Sequence, residues 1–238
     1  NRHKASQYIG FLALLADLAA ISNLGAVFAL ISGKDFWYGP YIPICFIVSG
    51  AMAGGYGVLF ATNVAYRANG WKMNDTMKES LRVVAKLTIF FISVVVFFNI
   101  WKLISGVTGN PAGKYESMKL LLTGEYADFF WIGEILLGLV LPLVLIILSQ
   151  GRHLGLLFLA ALLGLIGTYF MRYDMVIAGQ LVPHYFGMGL VGYPEYFTYV
   201  PTMHELLIMM GGFGLWGLLF LFGERLFRGH YAIHKLQD

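Results

Sequence analysis

The sequence predicts an all-α integral membrane protein with about six membrane-spanning helices. Of its 238 residues, 58% are hydrophobic and only 12% are charged, which is too little charge to cover a soluble domain of this length. Several apolar runs approach or exceed the ~20 residues that an α-helix needs to cross a bilayer. These runs lack the alternation of polar and apolar residues found in barrel strands, which excludes a transmembrane β-barrel.

The predicted spans follow one another in a single transmembrane domain over residues 1–238. They lie at about 8–31, 41–66, 83–107, 128–149, 154–171 and 202–223. Of the 16 Lys and Arg residues, 11 fall on the side that holds both ends of the chain and 5 fall on the other side. Because Lys and Arg collect in cytoplasmic loops, both termini are predicted to face the cytoplasm.

The connection before the last span, at about 172–201, differs from a simple polar loop. It is apolar and aromatic, and Gly and Pro interrupt it too often for one continuous helix. This pattern predicts a re-entrant or interfacial segment with its tyrosines at the level of the lipid headgroups. An amphipathic loop that lies on the membrane surface is the alternative.

Two carboxylates lie inside predicted spans. Asp17 belongs to "LLADLAA" and Glu134 to "FWIGEILLG". A charge near the middle of a span costs about 2.5–3.5 kcal/mol on insertion scales, so it usually faces protein or water and often has a function. Both residues are candidates for an intramembrane proton relay. The alternative is a structural hydrogen bond between helices.

A second group of polar side chains surrounds the outer ends of the fifth and sixth spans. Its members are Arg172, Asp174, Gln180, His184, Tyr199, His204 and Glu205. A quinone site needs an apolar slot, hydrogen-bond donors for the ring carbonyls, and a carboxylate or imidazole that takes up protons. The group is therefore a candidate for quinone binding or proton transfer. In the alternative, Arg172 pairs with Asp174 at a helix end, while His204 and Glu205 only cap the last span.

The sequence predicts no metal site and no redox centre on this chain. A single cysteine, Cys45, cannot ligate an iron–sulfur cluster. His153 and His204 are predicted at opposite membrane surfaces, so they cannot share a haem iron. His230 and His234 lie in a short basic tail, where a solvated helix face is the simpler interpretation. The net charge of +3 follows membrane topology and requires no nucleic-acid partner.

Three short motifs resemble a known family. Arg172 is followed by an "I-x-G-Q-x-x-P"-like run, and Tyr199, Pro201 and Glu205 form a "Y-x-P-x-x-x-E" pattern that opens the last span. Residues 37–60, "WYGPYIPICFIVSGAMAGGYGVLF", combine a pair of prolines with a face of small residues. With these motifs the sequence resembles the polysulfide reductase membrane-subunit family, also called NrfD-like, over most of residues 37–225.

The resemblance implies a helical anchor that contains a four-helix bundle and has no haem. Such subunits exchange electrons between a membrane quinone, menaquinone or ubiquinone, and an extracytoplasmic, ferredoxin-like iron–sulfur subunit. Through that subunit they serve a molybdenum enzyme, a hydrogenase, a cytochrome or a sulfur-metabolism subunit, in some cases with proton translocation. The resemblance thus implies a hetero-oligomer in the cytoplasmic membrane of a prokaryote, in contact with membrane lipid.

Family members usually have more spans, arranged as two four-helix bundles, so an N-terminal bundle is expected to be missing from a chain with six spans. That bundle holds the family's better supported quinone pocket, and the residues proposed above could instead serve a proton path or dock the partner. A proton- or ion-coupled transporter or channel is the alternative function, because broken segments and buried carboxylates also suit a carrier. In a third interpretation, a purely structural anchor, the polar groups are all interfacial.

Overall fold

The computed structural model describes residues 2–108 and 113–227, and this part of the chain is all-helical apart from its connections. In chain order the elements are α1 (Arg2–Ala29), α2 (Tyr41–Ala68), α3 (Asp75–Val107), α4 (Lys114–Thr123), a π-helix (Phe129–Val140), α5 (Leu141–Ser149), α6 (Leu154–Leu181) and α7 (Met203–Phe227). Within the described residues, six stretches are long and apolar enough to span a membrane, and the π-helix and α5 together form the fourth. The predicted fold class is confirmed.

Four of the spans pack around one core. They are α2, α3, α6 and the fourth span, while α1 packs along α2. The core residues are Met52, Tyr56, Leu59, Leu81, Ala85, Ile92, Val95, Leu139, Ile146, Leu157, Ala160, Ala161 and Met171. At one end of this bundle α4 contacts α3, α6 and the π-helix. We call this the α4 end; the connection between α1 and α2 and the last turn of α6 lie at the same end.

The chain divides into two compact units, Asn1–Phe197 and Thr198–Asp238. The first unit contains the bundle with α1 and α4. The second contains α7, an apolar helix whose described large side chains are mostly exposed. The prediction of one domain over the whole chain stays a prediction.

The third and fifth spans extend furthest beyond their predicted bounds. The third was expected to begin near residue 83, but α3 begins at Asp75, because the Asn74 side chain accepts a hydrogen bond from the Met77 amide at 2.8 Å and caps the helix. The fifth was expected to end at residue 171, but α6 continues to Leu181. Its last turns carry charged side chains that face the bundle, so a change from apolar to polar residues does not mark the end of this helix.

The connection between α6 and α7 has the irregular backbone that the prediction requires. It turns back on α6, and the Phe197 amide donates a hydrogen bond to the Leu181 carbonyl at 2.9 Å. Tyr185 packs edge-on against Tyr193 and Phe197, with ring centroids 5.3 and 6.2 Å apart. Its depth in the membrane, and so the choice between a re-entrant and an interfacial segment, stays a prediction.

The fourth span is π-helical up to Val140, just before Pro142. Proline has no amide hydrogen, so in an α-helix it would leave the carbonyl of Gly138 without a donor. The Tyr56 hydroxyl of α2 donates to that carbonyl at 3.0 Å. Gly138 also lies against Gly167 of α6, where a side chain on Gly167 would overlap the backbone of Gly138 and one on Gly138 would be in tight contact with the backbone of Gly167. The fourth span and α6 therefore cross at backbone contact distance.

Candidate functional site

The interior of the bundle contains an ion pair. Nζ of Lys102 on α3 lies 3.0 Å from Oε1 of Glu134 on the π-helix. Glu134 is 0% exposed and Lys102 is 8% exposed. The ammonium group also lies 5.1 Å from the centroid of the Phe130 ring. The pair joins two spans and keeps a titratable carboxylate inside the protein, where removal of one partner would leave an uncompensated charge.

Asp174 of α6 lies beside this pair, since Met171 and Met175 of the same helix line one cavity with Lys102 and Glu134. It is 0% exposed. Neither of its carboxylate oxygens has a hydrogen-bond partner within the described residues, and the same holds for Oε2 of Glu134. An unpaired anion is costly in such surroundings. We call Lys102, Glu134 and Asp174 the buried carboxylate cluster.

The alternative interpretation of the sequence required an ion pair between Arg172 and Asp174, but these two side chains do not form one. Its guanidinium reaches across to α2, where it donates to Oγ of Ser49 at 2.8 Å and to the carbonyl of Phe46 at 3.3 Å. The guanidinium carbon also lies 3.8 Å from the centroid of the Phe46 ring. Arg172 thus holds α6 against α2 and leaves Asp174 without a cationic neighbour on its own helix.

Two small cavities adjoin the buried carboxylate cluster. Each has a volume of about 20 Å³, which is room for about one water molecule. The polar residues that line the inner cavity are Tyr41, Cys45, Ser49, Asn99, Lys102 and Glu134. The outer cavity lies toward the α4 end, and Trp37, Tyr38, Lys102, Ser105 and Lys114 contribute to its wall. Since Tyr41, Lys102 and Met175 line both, polar groups lead from the α4 end to Glu134.

A larger pocket of about 140 Å³ lies at the α4 end, and we call it the α4-end pocket. Its lining includes Lys34, Phe36, Ser117, His184 and Phe186. Nζ of Lys34 donates to the Val182 carbonyl at 2.7 Å, which satisfies a carbonyl at the end of α6. Partial burial lowers the pKa of the Lys34 ammonium. The pocket combines hydrogen-bond donors with aromatic walls, the chemistry that a quinone ring requires.

The connection between α1 and α2 closes over the end of α6. The buried Trp37 indole donates from Nε1 to the Met175 carbonyl at 2.7 Å. It lies so close to Gly179 that any side chain at this position would overlap the indole. This contact explains why the "I-x-G-Q-x-x-P"-like run has a glycine at this position.

The remaining site residues that were predicted from the sequence in the first unit lie apart from one another. His184 lines the α4-end pocket. The Gln180 side chain is exposed, and its backbone carbonyl lies 3.5 Å from Nζ of Lys34. Asp17 is exposed on α1, outside the buried carboxylate cluster, and forms no ion pair with the described residues.

Tyr199, His204 and Glu205 belong to the second unit. Glu205 accepts hydrogen bonds from the Thr202 amide at 2.6 Å and the Thr202 hydroxyl at 2.8 Å, while the Glu205 amide lies 3.4 Å from that hydroxyl. This reciprocal arrangement is a capping box at the start of α7. It gives Glu205 the helix-capping role of the alternative interpretation. The His204 side chain is exposed.

No three His, Cys, Asp or Glu side chains converge as a metal site would need in residues 2–108 and 113–227. His230 and His234 lie outside the described residues. Sequence reasoning identified Glu134 and Asp174 but missed Lys102 as the partner of Glu134, because it counted that lysine among the outer charges. The available signal was its position late in an apolar span, where an unpaired ammonium is unfavourable.

Comparisons with known proteins agree with this architecture. The sequence profile of the family described as "Polysulphide reductase, NrfD" matches residues 2–184. A selenate reductase subunit of Mesobacillus selenatarsenatis is 26% identical over 220 residues, which cover 92% of this chain and 50% of the relative. A putative dimethyl sulfoxide reductase membrane subunit of Halobacterium salinarum is 25% identical over 226 residues, covering 90% of this chain and 51% of the relative. The chain spans about half the length of these curated relatives.

Proposed function

Since the chain belongs to the NrfD family of reductase membrane subunits, we propose that it is the quinone-interacting membrane anchor of a respiratory oxidoreductase complex. In this proposal it exchanges electrons between menaquinone or ubiquinone and an extracytoplasmic, ferredoxin-like iron–sulfur subunit. That partner links it to a catalytic subunit of the molybdenum, hydrogenase, cytochrome or sulfur-metabolism type. The complex lies in the cytoplasmic membrane of a prokaryote and can translocate protons.

The buried carboxylate cluster is the observation that carries the proposal. Oxidation of a quinol releases two protons with two electrons, so a quinone-linked subunit needs a route for protons as well as a binding surface. Glu134 and Asp174 are fully buried. Within the described residues, both carboxylate oxygens of Asp174 and Oε2 of Glu134 have no hydrogen-bond partner. Such groups favour proton transfer over a purely structural role, because a structural hydrogen bond would engage them. The relatives support the assignment by their names, since both are subunits of reductases and one is a membrane subunit.

The α4-end pocket is the proposed contact with the quinone headgroup. Its volume of about 140 Å³ exceeds that of the cavities beside Lys102, which are of water size. His184 and Lys34 supply donors for ring carbonyls, and Phe36 and Phe186 supply apolar walls. The outer and inner cavities then offer a path for protons through Tyr41 and Lys102 to Glu134 and Asp174.

The test measures quinol-dependent reduction by the purified complex. Glu134→Gln and Asp174→Asn keep the shape of each side chain but abolish proton exchange, and each is expected to lower the quinol-linked rate by about 10²-fold or more. His184→Ala is expected to raise the KM for quinol by about fivefold, the equivalent of one hydrogen bond. Glu79→Gln is the matched control, since this exposed carboxylate lies at the opposite end of the bundle.

Retained wild-type rates in all three site variants, in a complex that still assembles, would contradict the proposed path and pocket. Loss of activity in Glu79→Gln as well would point to a general defect and equally contradict the assignment. A proton- or ion-coupled carrier is the second candidate, because a buried carboxylate cluster also serves coupled transport. A carrier would move protons or ions in liposomes that contain this chain without an iron–sulfur partner.

A further inference from the structure

A basic pocket lies at the end of the bundle opposite to the α4 end, away from the site described above. It is an open cavity of about 550 Å³ between the end of α2, the start of α3 and the start of α6. Its lining residues are Asn63, Tyr66, Arg67, Gly70, Trp71, Lys72, Met73, Lys78 and Leu154. Three of these are cations and none is a carboxylate, so the cavity presents a positive surface where three spans end.

The positive charge of the basic pocket is only partly neutralised. Within the described residues Arg67 and Lys72 form no ion pair. Lys78 contacts Asp75 at 3.0 Å, but that carboxylate side chain is 99% exposed and the pair is weak. Glu79, the next acidic residue on α3, is bound to Arg82. Three ammonium or guanidinium groups can therefore converge on one bound anion.

Aromatic side chains lie in and beside the pocket. Tyr66 and Trp71 pack edge-on with ring centroids 5.9 Å apart, and such aromatic side chains prefer the headgroup level of a bilayer. The Arg67 guanidinium carbon lies 4.9 Å from the centroid of the Phe158 ring, which stacks on Phe60 at 5.4 Å. An anion held by Arg67 would thus sit beside an aromatic pair formed by α2 and α6.

We propose that the basic pocket binds the phosphate-bearing headgroup of an anionic glycerophospholipid, with its acyl chains against the partly exposed aromatic pair of Phe60 and Phe158. The cations recognise the phosphodiester, and the aromatic pair contacts the attached hydrocarbon. A basic pocket between membrane helices on the side enriched in Lys and Arg suits this ligand. A soluble phosphate ester shares the headgroup chemistry but has no hydrocarbon to place against the aromatic pair.

The experiment titrates the delipidated complex with phosphatidylglycerol or phosphatidylethanolamine and counts bound lipid by native mass spectrometry. We expect the wild type to prefer phosphatidylglycerol, and the pocket variant Arg67→Gln/Lys72→Gln/Lys78→Gln to weaken its binding by about fivefold for each cation that it removes. The control variant Lys4→Gln/Lys86→Gln/Arg225→Gln removes the same charge outside the pocket and should bind like the wild type. Arg67→Lys should retain most of the binding, which separates loss of charge from loss of fold.

Three results would overturn the proposal. The first is equal binding of both lipids by the wild type. The second is equal loss in the pocket variant and the control variant, which would indicate a diffuse electrostatic effect. The third is displacement of phosphatidylglycerol by millimolar glycerol 1-phosphate, which would assign the pocket to a soluble phosphate ester.

Discussion

Lys102 determines whether Glu134 is tolerated in the bundle. The two side chains are almost completely buried and only 3.0 Å apart, so each stabilises the charge of the other. Glu134 could be identified from the sequence because carboxylates are rare in apolar helices, and Asp174 because it belongs to the polar group at the outer ends of the fifth and sixth spans. The pairing with Lys102 and the reach of Arg172 to Ser49 could not, because they depend on which helix faces meet. The choice between the Arg172–Asp174 pair and its alternatives was therefore open until three-dimensional contacts were known.

Removing Lys102 alone should destabilise the protein more than removing both charges. Lys102→Met leaves Glu134 buried without a cation and is expected to lower the free energy of unfolding by about 3–5 kcal/mol. Lys102→Met/Glu134→Gln should recover a large part of that loss. Thermal unfolding in detergent measures both, with Glu79→Gln as an exposed control whose effect should stay below about 1 kcal/mol. Strict additivity of the two single variants would show that the ion pair contributes nothing.

The fourth span and α6 show how helix geometry is set by neighbours as well as by sequence. Pro142 marks the point where the α-helical hydrogen-bond pattern cannot be regular, and the sequence shows this position directly. The sequence does not show that Tyr56 of another span supplies the donor for Gly138, or that Gly167 lies opposite. The greater length of α6 was missed for a related reason: charged residues in its last turns face partners inside the protein.

Glycine substitutions on two spans should separate backbone contact from helix propensity. Gly167→Ala places a methyl group against the backbone of Gly138 and is expected to destabilise the protein by about 1–3 kcal/mol. Gly57→Ala has no atom within 4 Å of the added methyl group and should be neutral or stabilising by up to about 1 kcal/mol. Chemical or thermal unfolding of the two variants provides the comparison. Equal effects at both positions would mean that the crossing of the two helices is looser than described.

At the scale of the whole molecule, length and hydropathy were sufficient to predict the number of spans and the all-helical class. Packing order was not predictable from the same data, because lipid-facing and bundle-facing sides of such apolar helices have similar compositions. The distribution of charge is the remaining global property. Lys and Arg concentrate at the end of the bundle that holds the basic pocket, which is the basis for placing that end in the cytoplasm.

The orientation can be tested with single cysteines, since the native Cys45 is buried. Asn69→Cys lies at the end assigned to the cytoplasm, and Lys119→Cys lies on α4 at the opposite end; both positions are exposed. A membrane-impermeant maleimide should label the Lys119→Cys variant in intact spheroplasts and the Asn69→Cys variant only in inverted vesicles. The unmodified chain is the control and should remain unlabelled. The opposite labelling pattern would reverse the assigned orientation.

The size of the two cavities beside Lys102 bears on ion selectivity. Each has room for about one water molecule, and the space between them is bordered by Tyr41, Lys102 and Met175. A sodium or potassium ion with its hydration shell does not fit such a space, and the fixed ammonium group of Lys102 repels any bare cation that approaches. A proton needs no such space because it can pass from one hydrogen-bonded group to the next. We therefore expect that a positive charge moving through this interior would move as a proton.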